Sequence, residues 1–221
     1  MSDGGQDWVA WHRAYDDPAS GLSERLRWVR GHLLEAVDGR PPGPFRLVAA
    51  CAGQGLDVLP VLAAHPRGGQ ARALLLETDP VNAAIARDAA RDAGLAGVEV
   101  MEADAGLAAS YVGAVPAGVV LMCGVFGNIA DPEIERTVAA LPQLCTPGAT
   151  VIWTRGRRQP DVIPAIREWF GQAGFELVAF EASARHPACV GVHRLVGEPA
   201  ELDPQARFFS FLERSGRRLS P

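Results

Sequence analysis

The tightest constraint on this chain's fold is the stretch Phe45-Arg46-Leu47-Val48-Ala49-Ala50-Cys51-Ala52-Gly53-Gln54-Gly55-Leu56-Asp57. An apolar run breaks into a Gly-x-Gly turn, and Val58, Leu59, Val61 and Leu62 then recur at helical spacing. Such a run is how a strand buried in a parallel sheet reads. The glycines permit a backbone turn too tight for side chains. A strand, a glycine turn and a helix start together make a crevice in which a nucleotide can lie.

The next two strand ends narrow the choice. Ala71-Arg72-Ala73-Leu74-Leu75-Leu76-Glu77 is a second apolar run that ends in an acid. Glu77 lies about 20 residues past the glycines, the spacing at which a carboxylate meets a ribose diol. Two hydroxyl donors on an ionised acceptor make short, charge-assisted bonds. A third run, Val98-Glu99-Val100-Met101, leads into Glu102-Ala103-Asp104-Ala105, so that Asp104 can accept from an exocyclic adenine amine. The dinucleotide fingerprint wants a third small residue three places after Gly55, and Val58 stands there. That substitution disfavours the close helix–strand packing of a dinucleotide site.

In their order and spacing these three strand ends resemble the class I S-adenosylmethionine (SAM)-dependent methyltransferases, over residues 45–196. The resemblance implies an α/β fold: a doubly wound seven-stranded sheet in the order 3-2-1-4-5-7-6. Six strands would be parallel and one antiparallel, with helices on both faces and an N-terminal helical extension. It implies SAM as cofactor, with Gly53 and Gly55 letting the backbone approach the methionyl part beside Cys51, Ala52, Gln54 and Asp57. Glu77, with Thr78, would hold the ribose, and Asp104, with Ala105, the adenine. Cys123, Gly124 and Phe126, after the fourth strand, complete the implied cofactor set. The family's loop usually reads acid-x-Gly-x-Gly-x-Gly, and here those places are Ala49, Cys51, Gly53 and Gly55. The carboxylate that helps to hold the SAM ammonium is missing. Either Asp57 substitutes for it, or Asp57 only complements the dipole of the helix that follows.

Composition removes other classes. At 221 residues the chain is one domain with extensions, read as 1–44, a helical extension or lid; 45–200, the SAM-binding domain; and 201–221, a polar, arginine-rich tail whose Phe208-Phe209-x-Phe211 cluster either docks or dangles. A net charge of −5 carries no nucleic-acid-type basic excess. No apolar run reaches membrane-spanning length, and the N-terminus lacks the pattern of a signal peptide, so a cytoplasmic protein is expected. There is no lysine, which excludes Schiff-base chemistry by this chain. Cys51, Cys123, Cys145 and Cys189 are widely spaced without metal-ligand patterns, and they read as buried free thiols.

Leu22, Leu26, Val29, Leu33, Leu34 and Val37 mark a helix before the Pro41-Pro42-Gly43-Pro44 stop. Further helices are expected near 56–65, 80–93, 131–144 and 161–173. Asp79-Pro80 and Asp131-Pro132 read as cap-plus-proline starts, leaving Glu77 as the ribose ligand. Later strands are expected at Val119–Cys123, Thr150–Trp153, Phe175–Phe180 and Cys189–Leu195. The loop between the last two is too short for a crossover helix, so they pair antiparallel.

Cys123-Gly124-Val125-Phe126-Gly127-Asn128-Ile129 falls at the carboxyl edge, where either Phe126 flanks adenine or substrate and Asn128 donates and accepts, or the segment is a turn with a buried aromatic. It does not match the Asn/Asp-Pro-Pro-aromatic motif of many methyltransferases acting on base or amide nitrogens. Trp8, Trp11, His12, Tyr15 and Asp16 form either a lid over the site or an amphipathic helix packed on the core. In the lid reading Trp11 meets substrate, and His12 or Tyr15 is the base. Arg155, Arg157 and Arg158 follow the fifth strand and either recognise an anionic acceptor or are solvated. Of Arg25, Arg27 and Arg30, one can pair with the SAM carboxylate. His65 and His193 read as structural, and His186 as a substrate-side candidate. The expectation is a methyltransferase acting on a small molecule by in-line transfer, O- rather than N-methylating, without metal, as monomer or homodimer. Its rivals are an NAD(P)-dependent Rossmann oxidoreductase and a catalytically silent methyltransferase-like module.

Overall fold

The computed structural model describes residues 17–157 and 159–212. Its framework is a seven-stranded sheet ordered β3-β2-β1-β4-β5-β7-β6. The strands are β1 (Phe45–Ala49), β2 (Ala71–Glu77), β3 (Val98–Glu102), β4 (Ala117–Met122), β5 (Cys145–Gly156), β6 (Phe175–Ala182) and β7 (Ala188–Leu195). The first five run parallel, and β7 is antiparallel to both β5 and β6. This is the order and the single reversed strand expected from the resemblance.

The central strands explain their own position. Every residue of β4, Ala-Gly-Val-Val-Leu-Met, is buried, so both faces of the sheet must be covered. On one face Leu47, Leu75, Val119, Leu121 and Ile152 meet α1 (Gly21–Asp38), α2 (Leu59–Ala64) and α3 (Pro80–Asp92). On the other, Val48, Leu76, Val120, Met122 and Trp153 meet α4 (Asp131–Ala140), α5 (Ile163–Gln172) and the C-terminal segment. The alternation of neighbours along each strand between the two cores is the period-2 geometry of an extended chain.

Helix α1 turns Leu26, Val29, Leu33, Ala36 and Val37 inward, while Leu34 faces out at 44% exposure. It starts at Ser20, whose hydroxyl accepts from the Ser23 N–H, and the β6–β7 loop holds that start. Ser183 Oγ donates to Glu24, and His186 Nε2 donates to the Ala19 carbonyl. Asp79 caps α3 as expected, accepting from Asn82 N at 2.8 Å. At the other proline start the cap position is Ala130, and Asp131 lies inside the first turn of α4. Its carboxylate is drawn to Arg155. Strand β5 is far longer than the apolar run alone suggested, because Thr154–Gly156 pair with β7 at one end and Cys145 pairs with Ala117 of β4 at the other.

Beyond β7 the chain crosses back over the second face. Phe208 and Phe209 enter the core, Ala108 N donates to the Ala206 carbonyl, and Phe208 N donates to Gly106. Leu107 and Arg207 form an isolated antiparallel bridge. We call this segment, Leu202–Leu212, the strap. Among the described residues no helix is long and apolar enough to cross a membrane.

Candidate functional site at the carboxyl edge

The chain runs β1, β2, β3 to one side and then returns to place β4 on the other side of β1. Such a reversal opens a crevice at the carboxyl ends of the two central strands. The glycine turn lies there. Gly53 and Gly55 have φ of 56° and 74°, and Cys51 adopts the same left-handed region at 54°. At Gly55 the requirement is also steric: an added Cβ would fall 2.6 Å from Leu59 Cδ1. The turn is thus folded tightly against α2.

Glu77 anchors the turn. Its Oε2 accepts from Gly53 N at 2.7 Å, and its Oε1 accepts from Asp79 N at 2.8 Å. A carboxylate offers about four lone-pair sites. One bond on each oxygen leaves one site per oxygen for a pair of hydroxyls. The carboxylate is half-buried, and Thr78 beside it is exposed. Gln54 Nε2 donates to Asn82 Oδ1 at 3.0 Å, tying the turn to the first turn of α3.

Asp104 follows β3 at the same edge. Oδ1 accepts from Gly106 N at 2.8 Å, and Oδ2 accepts from Arg207 Nη1 at 2.9 Å. Two further bonds fix the loop backbone: Ser110 Oγ to the Asp104 carbonyl and the buried Tyr111 hydroxyl to the Ala105 carbonyl. The charges of both acids reach Cys51. Burial, then the charges of Glu77 and Asp104, push its thiol well above the ordinary range. It is therefore neutral and unreactive as a nucleophile.

On the β4 side, Cys123 is buried, and the nearby Asp57 carboxylate adds to the rise of its thiol pKa, while Arg25 opposes it. Asp57, Arg25 and Cys123 are thereby brought together on the β4 side of the crevice. Arg30 is engaged elsewhere, donating from Nε to the Leu56 carbonyl at 2.9 Å, and Arg27 is exposed. Gly124, at φ 77°, donates its N–H to Thr154 Oγ1 and has open space where a Cβ would stand.

Two residues are claimed by their surroundings. The Phe126 side chain is fully buried, packed on Trp153 and Phe170 at centroid distances of 5.8 and 6.4 Å, so its ring flanks neither adenine nor substrate. The fourth strand's apolar neighbours outcompete the crevice for an aromatic ring. Arg155 has internal partners, the Phe126 carbonyl and the Asp131 carboxylate at 3.0 Å, and its side chain is 13% exposed. A guanidinium so engaged braces the loop after β4 instead of projecting toward an acceptor. Asn128 stays half-buried beside it, donating to the Gly124 carbonyl while its own carbonyl accepts from Leu212 N. Trp8, Trp11, His12, Tyr15, Asp16 and Arg158 lie outside the described residues.

His65 and His193 are both held structurally. His65 Nε2 donates to Asp38 while Nδ1 accepts from Arg67 N. His193 Nδ1 accepts from Trp153 Nε1 at 3.1 Å, and the ring stacks on Phe170 at 4.1 Å. The residue sequence reasoning missed is Arg207. It sits in a polar stretch 103 positions from Asp104, and only the neighbouring Phe208-Phe209 pair signalled that the segment docks.

No family model and no curated protein matches this chain. Solved structures do. Magnesium protoporphyrin IX methyltransferase (ChlM) from Synechocystis PCC 6803, crystallised with SAM, is 15% identical. It aligns over 87% of this chain and 99% of its own with a TM-score of 0.60. A putative O-methyltransferase from Nostoc punctiforme is 14% identical over 85% of this chain and 59% of its own, with a TM-score of 0.62. The [4+2]-cyclase SpnF is 16% identical over 76% of this chain and 81% of its own, at 0.54. Identities this low speak for the backbone and not for the reaction. Together with the strand order, they show that the chain has the fold of the class I SAM-dependent methyltransferases.

Proposed function

We propose that this protein is a SAM-dependent methyltransferase acting on a small-molecule acceptor, through oxygen in preference to nitrogen. The observation that carries the reading is Glu77, fixed by the Gly53 and Asp79 amides with one acceptor site spare on each oxygen. A donor-accepting pair of that spacing suits a ribose diol. Asp104, at the next strand end, has the corresponding spare capacity for an adenine amine. The donor set therefore fits the nucleoside half of SAM. For the amino end, Asp57 and Arg25 supply opposite charges near Cys123, where Ala49 has none to offer.

The sulfonium of bound SAM supplies an activated methyl group. The chain's own part is positioning and the exclusion of water, which can account for many orders of magnitude in rate. In this reading Glu77 and Asp104 orient the nucleoside, and the glycine turn gives close backbone approach. Gly124 and Asn128 border the acceptor side. His12 and Tyr15 are the proposed bases, with Trp11 against the acceptor. The working form is a cytoplasmic monomer or homodimer without metal.

Ala49 and the shared fold of a [4+2]-cyclase favour one second reading, a SAM-fold protein that does not transfer methyl. Calorimetric titration with SAM and NAD, followed by a methyl-release assay across small phenols and carboxylic acids, separates the readings. Micromolar SAM binding with methyl transfer supports the proposal. SAM binding without transfer to any acceptor favours the second reading, and binding of NAD alone overturns both.

A further inference from the structure

The strap does more than close the core. Phe208 is 3% exposed and Phe209 is fully buried, which fixes the backbone after residue 207, and the Ala206 carbonyl before it accepts from Ala108 N. Phe208 N donates to the Gly106 carbonyl, and Thr137 Oγ1 donates to the Phe208 carbonyl. Gly106 is pressed so closely to the strap that an added Cβ would fall 2.2 Å from the Phe209 carbonyl oxygen. The loop carrying Asp104 and the strap carrying Arg207 therefore form one rigid unit.

Within that unit the Arg207 Nη1 is shared between Asp104 Oδ2 at 2.9 Å and the Phe209 carbonyl at 3.3 Å. Gly106 N holds the other carboxylate oxygen. A carboxylate held on one oxygen only can rotate about its χ2, whereas one held on both presents its remaining lone pairs in one plane. The pair is partly open, 46% exposed on Arg207 and 38% on Asp104, so the remaining carboxylate lone pairs are accessible at the carboxyl edge of the sheet.

We propose that Arg207 is a positioning residue for the nucleoside, orienting Asp104 toward the exocyclic amine of adenine. The inference rests on the reading of the crevice as a SAM site. It makes the C-terminal strap part of the ligand's specificity for adenine over a 6-oxo purine, because an oriented carboxylate rewards an amine donor and repels a carbonyl oxygen.

The test is calorimetric titration of the full chain with S-adenosylhomocysteine and with its 6-oxo analogue S-inosylhomocysteine. A partly exposed ion pair couples by up to about 1 kcal/mol, so Arg207→Ala should weaken S-adenosylhomocysteine about three- to fivefold. The same variant should leave S-inosylhomocysteine within about 1.5-fold, since that ligand carries a carbonyl in place of the exocyclic amine that the oriented Asp104 would accept from. Arg207→Lys should restore most of the loss, and Arg207→Ala should have no further effect in an Asp104→Asn background. Equal weakening of both ligands would mean a structural role only, and tighter binding would mean that Arg207 obstructs the site. Either result overturns the inference. Parent protein that binds neither ligand overturns the SAM-site reading itself, and the inference with it.

Discussion

Replacing Glu77 by alanine should damage the protein even when no ligand is present. The carboxylate accepts two backbone N–H bonds, 2.7 Å from Gly53 and 2.8 Å from Asp79. Hydrogen bonds to charged groups contribute roughly 1.5–3 kcal/mol each, but this site is half-buried and water can replace part of what is lost. A loss of about 2–3 kcal/mol is the expected sum. In a domain of this size that lowers the melting temperature by roughly 5–10 °C. Glu77→Gln keeps one carbonyl oxygen but turns an amide donor toward the second N–H, so it should fall between parent and alanine. Chemical denaturation and thermal melting of the unliganded proteins, followed by calorimetric titration with SAM, measure both consequences. Binding should weaken by about 10- to 100-fold in the alanine variant, from the lost ribose bonds. An alanine variant that melts with the parent would refute the argument, because the two amide bonds would then contribute nothing.

Stability should also fall in mild acid because of His193. Burial lowers its pKa to about 4 from 6.5, with Arg167 opposing the charge further, and its Nε2 is buried without a hydrogen-bond partner among the described residues. The unfolded chain therefore binds this proton near pH 6.5 and the folded one only near pH 4. Stability is full above that window and declines as pH drops through it, by about 3 kcal/mol at most. His193→Phe should flatten this part of the urea-denaturation profile while costing a constant amount for the orphaned Trp153 N–H; an unchanged slope would count against the assignment. At Cys51, φ of 54° favours glycine. Cys51→Gly should keep or raise the melting temperature, whereas Cys51→Val, β-branched in the left-handed region, should lower it clearly. Equal melting of the two variants would contradict that backbone reading.

Much of the fold was legible because its signals are local or depend on strand order. The apolar runs of β1, β2 and β4 announce burial on both faces, and the short β6–β7 loop forces the reversed strand. Glu77 and Asp104 were legible as strand-end acids. What the sequence concealed is how their second acceptor sites are used, since Gly53 N and Arg207 reach them across 24 and 103 residues. The sequence left Phe126 and Arg155 between two readings for a related reason. A residue after a strand end can face the crevice or turn into the second core, and only packing against Trp153, Phe170 and Asp131 decides it. Asp131 looked like a cap for want of that same partner. The strap was only half legible: Phe208 and Phe209 hinted at docking, but a polar, arginine-rich segment gives no periodic signal, and the bonds that seat it, Phe208 N to Gly106 and Arg207 to Asp104, span about a hundred residues.

The most direct test of the account is a crystal structure with S-adenosylhomocysteine. It should show both ribose hydroxyls on the two Glu77 oxygens, with the Gly53 and Asp79 amide bonds retained, and the adenine amine on Asp104. A nucleoside bound elsewhere, or a ribose that leaves Glu77 facing water, would contradict the central claim.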